Sequence, residues 1–453
     1  MLAIGLATRL ALLGGSLWYD EAFTAWLARL PLPRLVAATL GDVHPPLYYA
    51  ALWGWAKLAG LSEFAIRLPS VAAGVLIIWL IWHLAGSLDL SQPARWAALG
   101  LGCLAPFMLY YSTEARFYAI QMALISLAGL ALVQQRWAVL VLASVVALYL
   151  HHLSFLFVGG LLLAGLLSWP ARWPRLVISS VAIGLLYLPG AVVALWQAQQ
   201  VGQGYWVPDP TIGGLLGIID SLIFYSPRSP WLLTGLATSL VLVLLAADLP
   251  RLWVAPQTRF LLVASVAPVV VVVAISVLWQ SVLIHRILAG AVPFVYLLVG
   301  DVLSQSRPRL LGAGGAVAAF VLIMLVGALV GRVGRTHANE IYHLPADYQP
   351  GQIVYHTNVG SLVIWQYYWP EAPHRLWPQP GGLATSLTDA TKSAMGMQQG
   401  PPPGPGQRWW YISFDNPTST GPELAQSRLL ASQGRLVATL RDDLLVKSEL
   451  WAE

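Results

Sequence analysis

Acidic, histidine and aromatic residues crowd into one stretch of this sequence, Leu17 to Tyr49 (LWYDEAFTAWLARLPLPRLVAATLGDVHPPLYY), directly after a membrane-length apolar run. Asp20 and Glu21 are adjacent, and neighbours on a helix point about 100° apart, so they cannot serve as one paired carboxylate site and must have separate jobs. An acidic pair at a membrane surface is costly to bury and tends to be kept for function, which makes Asp20 a candidate general base. The competing reading makes it the N-cap of the helix EAFTAWLARL, hydrogen-bonding a free backbone N–H. Asp42 and His44 stand two apart before Pro45 and Pro46, a pair that fixes an extended turn and could hold an imidazole over a substrate. Tyr48 and Tyr49 follow. A loop entering an interfacial helix with tyrosines at headgroup level fits the same residues equally well. The Asp-x-His spacing is a weak metal signal; it leaves a divalent cation open without requiring one.

Four later clusters repeat this mixture of charge and aromatics. In SEFAIRLPS, Glu63 and Arg67 are four apart just before an apolar run; Arg67 could neutralise a lipid phosphate or pair with Glu63 at i, i+4. In YYSTEARFY, Glu114 and Arg116 lie among Tyr110, Tyr111 and Tyr118, tyrosines that suit an aromatic belt or stacking on a sugar ring. His151 and His152 interrupt a hydrophobic run at a turn. His285 and Arg286 open LIHRILAGAVPFVYLLVG, where Arg286 is a second phosphate candidate or a side chain that snorkels to the interface.

The elements that must position these residues are membrane helices. With 57% hydrophobic and only 10% charged residues among 453, the chain cannot be an ordinary soluble domain, in which about a quarter of residues are charged. The net charge of +5 is spread through loops without the basic block of a nucleic-acid binder, so membrane lipids are the sufficient partner. Cys103 stands alone, which excludes an internal disulfide or a cysteine metal site. The first run lacks the basic start and small-residue cleavage site of a removable signal peptide and reads as a first span.

Apolar runs fit for about 30 Å of hydrocarbon fall near residues 1–18, 68–88, 95–111, 117–134, 136–150, 152–169, 174–196, 231–248, 258–279, 286–304 and 309–331. Those runs predict about 11 spans. Two shorter runs, 45–60 and 211–225, read as interfacial helices, although counting them as tilted or broken spans would give up to 13. With both interfacial, the turns bearing Arg95, Arg136, Arg172, Arg175, Arg251, Arg259, Arg307 and Arg309 share one face. The positive-inside rule makes that face cytoplasmic. The candidate residues then collect on the outer face.

Beyond residue 331 no further membrane-length run occurs, and 332–453 reads as a soluble, extracytoplasmic C-terminal α/β domain. GQIVYHT, RWWYISFD and RLVATLRD read as strands, SLVIWQYYW and PELAQSRLLASQ as helices. MGMQQGPPPGPGQ, residues 395–407, reads as a flexible linker. The transmembrane part is then 1–331, with a first outer loop of about 19–67.

WYDEAFTAW, HPPLYY, SEFAIRLPS and YYSTEARFYAI, in that order within the first 120 residues, resemble the successive motifs of GT-C glycosyltransferases related to protein O-mannosyltransferases and to the aminoarabinose transferase that modifies lipid A. YLHHLSFLF and HRILAGAVP extend a weaker resemblance to about residue 304. The resemblance implies an integral membrane enzyme, in the inner or plasma membrane, that moves a sugar from a polyprenyl-phosphate carrier to an extracytoplasmic acceptor (protein, lipid or glycan), usually with inversion. It implies that Asp20 is the catalytic carboxylate with Glu21 in support. Relatives often carry a Lys between the His and the Pro pair; this chain has none. A carrier-phosphate contact would then move to Arg67, Arg116 or Arg286.

The implied chemistry agrees with the residues. An acceptor hydroxyl needs a carboxylate to take its proton as the bond to C1 forms, and arginines shielded from water stabilise a departing phosphate. A monophosphate leaving group can be handled by arginine without a metal. A transporter or flippase of lipid-linked saccharides is the rival, but it should place polar residues near mid-membrane or on both faces and often show inverted repeats. Here polar residues crowd one face and no repeat is visible. A receptor using the soluble domain would leave Asp20 dispensable.

Overall fold

The computed structural model describes residues 1–201, 207, 209–224, 231–305, 348–356, 359–376, 387, 389–400, 410–412, 435–442 and 446–452. The chain divides into two compact units that interleave in sequence, Met1–Leu13 with Arg67–Val333, and Gly14–Ile66 with Gly334–Glu453. The outer loop, read from the sequence as part of the membrane region, therefore groups by contact with the C-terminal residues.

The first unit is helical, because its apolar runs can satisfy their backbone groups in hydrocarbon only as helices. Among the described residues, four helices are long and apolar enough to cross a membrane: Glu63–Ser87, Pro170–Gln199, Pro256–Leu278 and His285–Gln305. Tyr118–Val133, Trp137–Leu150 and Ser154–Ser168 have 14 to 16 residues, about 21 to 24 Å at the helical rise. Ser154–Ser168 packs on Pro256–Leu278, and Val292–Gln305 packs on Gln92–Leu104. The second pair is close because Gly300 has no side chain; a Cβ there would lie 2.7 Å from the Ala94 carbonyl oxygen.

The described apolar runs are helical, but their ends move for identifiable reasons. The run at 1–18 gives a helix only over Leu2–Ala11, after which Gly15 takes φ +102°, a conformation that favours glycine. The run at 95–111 breaks at Ala105, with φ −58° and ψ 131°, because Pro106 forces its predecessor out of the helical region. The run at 286–304 opens as a 3₁₀ segment, His285–Ala291, before Val292–Gln305. The two short runs form 13-residue helices, Leu47–Ala59 and Ile212–Phe224, each about 20 Å long and short of a span. The run at 309–331 lies outside the described residues.

Pro106 also has no N–H to offer the Gly102 carbonyl four residues earlier. Arg9, fully buried on the first helix, supplies the missing donor. Its Nη2 donates to the Gly102 carbonyl at 2.9 Å, and Nη1 donates to the Gly5 carbonyl at 3.0 Å and the Cys103 carbonyl at 3.4 Å. A charge in an apolar helix thus secures the break that leads into the Tyr110–Tyr118 turn.

The second unit joins the outer loop to an α/β layer. Its helices Tyr19–Arg29, Leu32–Leu40 and Leu47–Ala59 pack on one another, and the last ends at Gly60 with φ +83°. Strands β1 (Val354–His356), β2 (His374–Leu376), β3 (Gln398–Gln399) and β4 (Trp410–Ile412) form a parallel sheet in the order β3-β2-β1-β4. Strands β5 (Arg435–Asp442) and β6 (Val446–Ala452) form an antiparallel pair. The helix expected from SLVIWQYYW spans Val359–Tyr368 and sits between β1 and β2 in sequence, the crossover that a parallel pair demands. The segment read as a linker from residue 395 contains β3, paired with β2. Residues 401–407 of that segment, and PELAQSRLLASQ, lie outside the described residues.

Candidate active site

Asp20 and Glu21 sit in the first turn of Tyr19–Arg29, where the helix dipole favours negative charge. The N-cap of this helix is Trp18, so Asp20 is not the capping residue. Glu21 is fully buried whereas Asp20 is half-buried. Two adjacent carboxylates thus occupy different environments, as the angle between helix neighbours requires.

In the same unit the His-Pro-Pro turn holds an oriented imidazole. His44 Nδ1 donates to the buried Asp42 carboxylate at 3.1 Å, which fixes the ring and leaves Nε2 as the basic nitrogen in the neutral form. The His44 ring meets Tyr49 edge-on at 6.3 Å, and Tyr49 meets Phe23 at 6.1 Å. This aromatic row ties the turn to the helix carrying Asp20. Tyr48 is buried against Tyr49, their centroids 5.3 Å apart. Asp42 and His44 bind each other. Among the described residues no group of three or more His, Cys, Asp or Glu is placed to hold a metal ion.

The first unit gathers a second set. Arg67 is fully buried and its Nη1 donates to the Leu13 carbonyl at 2.8 Å. Glu114 and Arg116 are buried in the turn between Pro106–Tyr111 and Tyr118–Val133. That turn is tied to the Arg67 helix by Ser70 Oγ, which donates to the Arg116 carbonyl at 3.2 Å. The Arg116 guanidinium lies 5.4 Å from the centroid of Phe117, which stacks on His151 at 4.3 Å and 20°. Gln121 Nε2 donates to Ser154 Oγ at 2.8 Å and lies 3.4 Å from His151 Nδ1. Tyr111 contacts Tyr118 at 5.0 Å and His285 at 6.1 Å. Arg286, next to His285, is half-buried, unlike Arg67 and Arg116.

His152 is drawn elsewhere. Its Nδ1 lies 2.6 Å from Tyr187 Oη and its Nε2 2.8 Å from Gln197 Oε1. Nε2 therefore donates to the amide oxygen and Nδ1 accepts from the phenol. Both ring nitrogens are engaged in linking this turn to the helix Trp173–Val201, whereas His151 faces Phe117.

Sequence reasoning missed two features. Arg9 was hidden in an apolar run. His356 and His374, on β1 and β2, form a buried pair: His356 Nε2 donates to His374 Nδ1 at 2.9 Å, Ser361 Oγ lies 3.1 Å from His356 Nδ1, and His374 Nε2 donates to the Trp369 carbonyl at 2.8 Å. Burial, and then the neighbouring imidazole, hold His356 well below the usual histidine range. Burial pushes His374 down to about 4 against the opposing effect of its carbonyl partner. Neither residue had a spacing signal, because the parallel pairing of two distant strands creates the contact.

Comparison with known proteins agrees with this architecture. Residues 43–150 match the family model described as dolichyl-phosphate-mannose-protein mannosyltransferase. No curated protein sequence matches the chain. Among solved structures, ArnT from Cupriavidus metallidurans in the apo state superposes over 99% of this chain and 96% of its own, with TM-score 0.63 and 15% identity. The same protein bound to undecaprenyl phosphate gives 0.61 and 13% over the same shares. The arabinofuranosyltransferase AftD from Mycobacteria covers all of this chain with 39% of its own, at TM-score 0.50 and 15% identity. The helical frame, the outer-loop helices and the small sheet give this chain the GT-C fold, related to that of the O-mannosyltransferases and ArnT.

Proposed function

We propose that this chain is an integral membrane glycosyltransferase of the inner or plasma membrane that moves a sugar from a polyprenyl-phosphate carrier to an extracytoplasmic acceptor, with inversion. The observation that carries the reading is the unequal placement of the Asp20–Glu21 pair, one half-buried and one fully buried, in a chain of GT-C fold. Asp20 takes the proton of the acceptor hydroxyl as its oxygen bonds to C1. The C1–O bond to the carrier breaks with its electron pair, and the phosphate leaves with added negative charge.

Arg67, Arg116 and Arg286 are the residues suited to that charge. The burial of Arg67 and Arg116 gives the half-buried Arg286 first claim to direct contact with phosphate. His44, oriented by Asp42, and Tyr48 are assigned to the acceptor or sugar, together with Glu114, Tyr118, His151 and His285. His152 takes a supporting part, as both ring nitrogens are bonded. Glu21 supports the first turn that presents Asp20.

The acceptor is a protein, lipid or glycan, and the choice of sugar follows pocket shape. The test supplies the purified protein with radiolabelled undecaprenyl-phosphate sugars and a panel of acceptors. Transfer by the wild type and none by Asp20→Asn supports the reading; binding of carrier without transfer under any condition would favour a transporter of lipid-linked saccharides.

A further inference from the structure

The C-terminal turn of the helix Val359–Tyr368 grips the outer loop at three places, all within the second unit. Tyr368 Oη accepts from the Leu17 N–H at 2.9 Å and donates to the Glu63 carboxylate. Tyr367 Oη donates to the Leu61 carbonyl at 2.9 Å. Arg29 Nη1 and Nη2 donate to the Gln366 and Tyr367 carbonyls at 3.2 Å, and the guanidinium lies 5.1 Å from the centroid of the Tyr367 ring. Those carbonyls end a helix, where they have no intrahelical donors. The same helix also packs along Tyr19–Arg29.

The three anchors are not scattered. Leu17 lies three residues before Asp20, Arg29 closes the helix that carries Asp20, and Leu61 with Glu63 leads into the helix that carries Arg67. Leu17 is itself buried, so its N–H needs the tyrosine oxygen as a partner.

We infer that Tyr368, supported by Tyr367, is a positioning residue of the soluble C-terminal domain that fixes the entry to the Asp20 helix and thereby the aim of its carboxylate. This rests on the reading of Asp20 as the base. Transfer rates fall steeply when a reacting group is displaced by about 1 Å. Loss of one anchor should therefore lower turnover more than donor affinity.

The test compares full-length wild type, Tyr368→Phe, Glu63→Gln, Glu63→Leu and Asp20→Asn in two measurements. One is transfer from undecaprenyl-phosphate sugars, split into kcat and KM. The other is amide hydrogen exchange over residues 17–23, with residues 359–365 as an internal control for the fold of the domain. Tyr368→Phe and Glu63→Leu should lower kcat at least about tenfold with KM for donor unchanged. They should also speed exchange at residues 17–23 alone, while Glu63→Gln, which keeps an acceptor oxygen, stays near wild type. Unchanged exchange, or wild-type kcat in Tyr368→Phe while Asp20→Asn is inactive, would overturn the clamp alone. Full activity in Asp20→Asn would overturn the base assignment, and with it the catalytic part of this inference.

Discussion

Acid should loosen the C-terminal sheet through the His356–His374 pair. The folded structure uses both imidazoles neutral: His374 donates through Nε2 and accepts through Nδ1, and His356 donates to it. An added proton on either ring would remove the acceptor in this chain and bury a charge. His374 sits near 4 when folded and near 6.5 when unfolded. Between those values the unfolded chain binds a proton that the folded one does not. The stability contributed by the neutral pair is therefore intact above about pH 6.5 and is lost as pH falls toward 4.

For His374 alone the gap corresponds to about 3 kcal/mol, most of it lost by pH 4.5, and His356 adds to it in the same direction. The assay is hydrogen exchange of Val354–His356 and Val359–Tyr368, corrected for the intrinsic effect of pH. Protection should fall by at least about tenfold between pH 7.5 and 4.5 (about 1.4 kcal/mol per tenfold). His374→Gln, whose amide can accept and donate but not titrate, should lose the share of that sensitivity that His374 contributes and keep the share that burial of His356 contributes. Equal protection at both pH values, or an undiminished acid response in His374→Gln, would refute the reasoning.

Two further outcomes follow from backbone contacts in the membrane unit. Arg9→Met leaves the Gly102 carbonyl, which faces a proline nitrogen, without its donor. The cost is about 1–3 kcal/mol, and the thermal midpoint in detergent should fall, with Arg9→Lys intermediate; a higher midpoint would mean that relief of the buried charge outweighs the carbonyl. Gly300→Ala forces a Cβ to 2.7 Å from the Ala94 carbonyl oxygen, where only a helix shift can make room. It should destabilise by about 1–3 kcal/mol, whereas Gly184→Ala, with nothing within 4 Å, should be nearly neutral in the same melt.

The helices were legible because hydrophobic period and run length act locally. The breaks needed more: Pro106 and Gly15 are visible in sequence, but the carbonyls that Pro106 orphans become meaningful only when Arg9 arrives from another helix. The same holds for the site. Asp42 and His44 are two apart and their bond could be foreseen, whereas the stack of His151 on Phe117 and the diversion of His152 to Tyr187 depend on tertiary packing. β2 was missed because three residues are too few to show alternation, and the histidine pair was missed with it. The attachment of Gly14–Ile66 to the C-terminal unit is likewise a product of distant contacts such as Tyr368 with Leu17.

The most direct measurement is single-turnover transfer of labelled sugar from undecaprenyl phosphate by wild type and Asp20→Asn under identical donor occupancy. The account predicts that the variant binds donor as the wild type does and loses at least about a hundredfold in transfer rate, the scale of a general base. Equal transfer by both would contradict it.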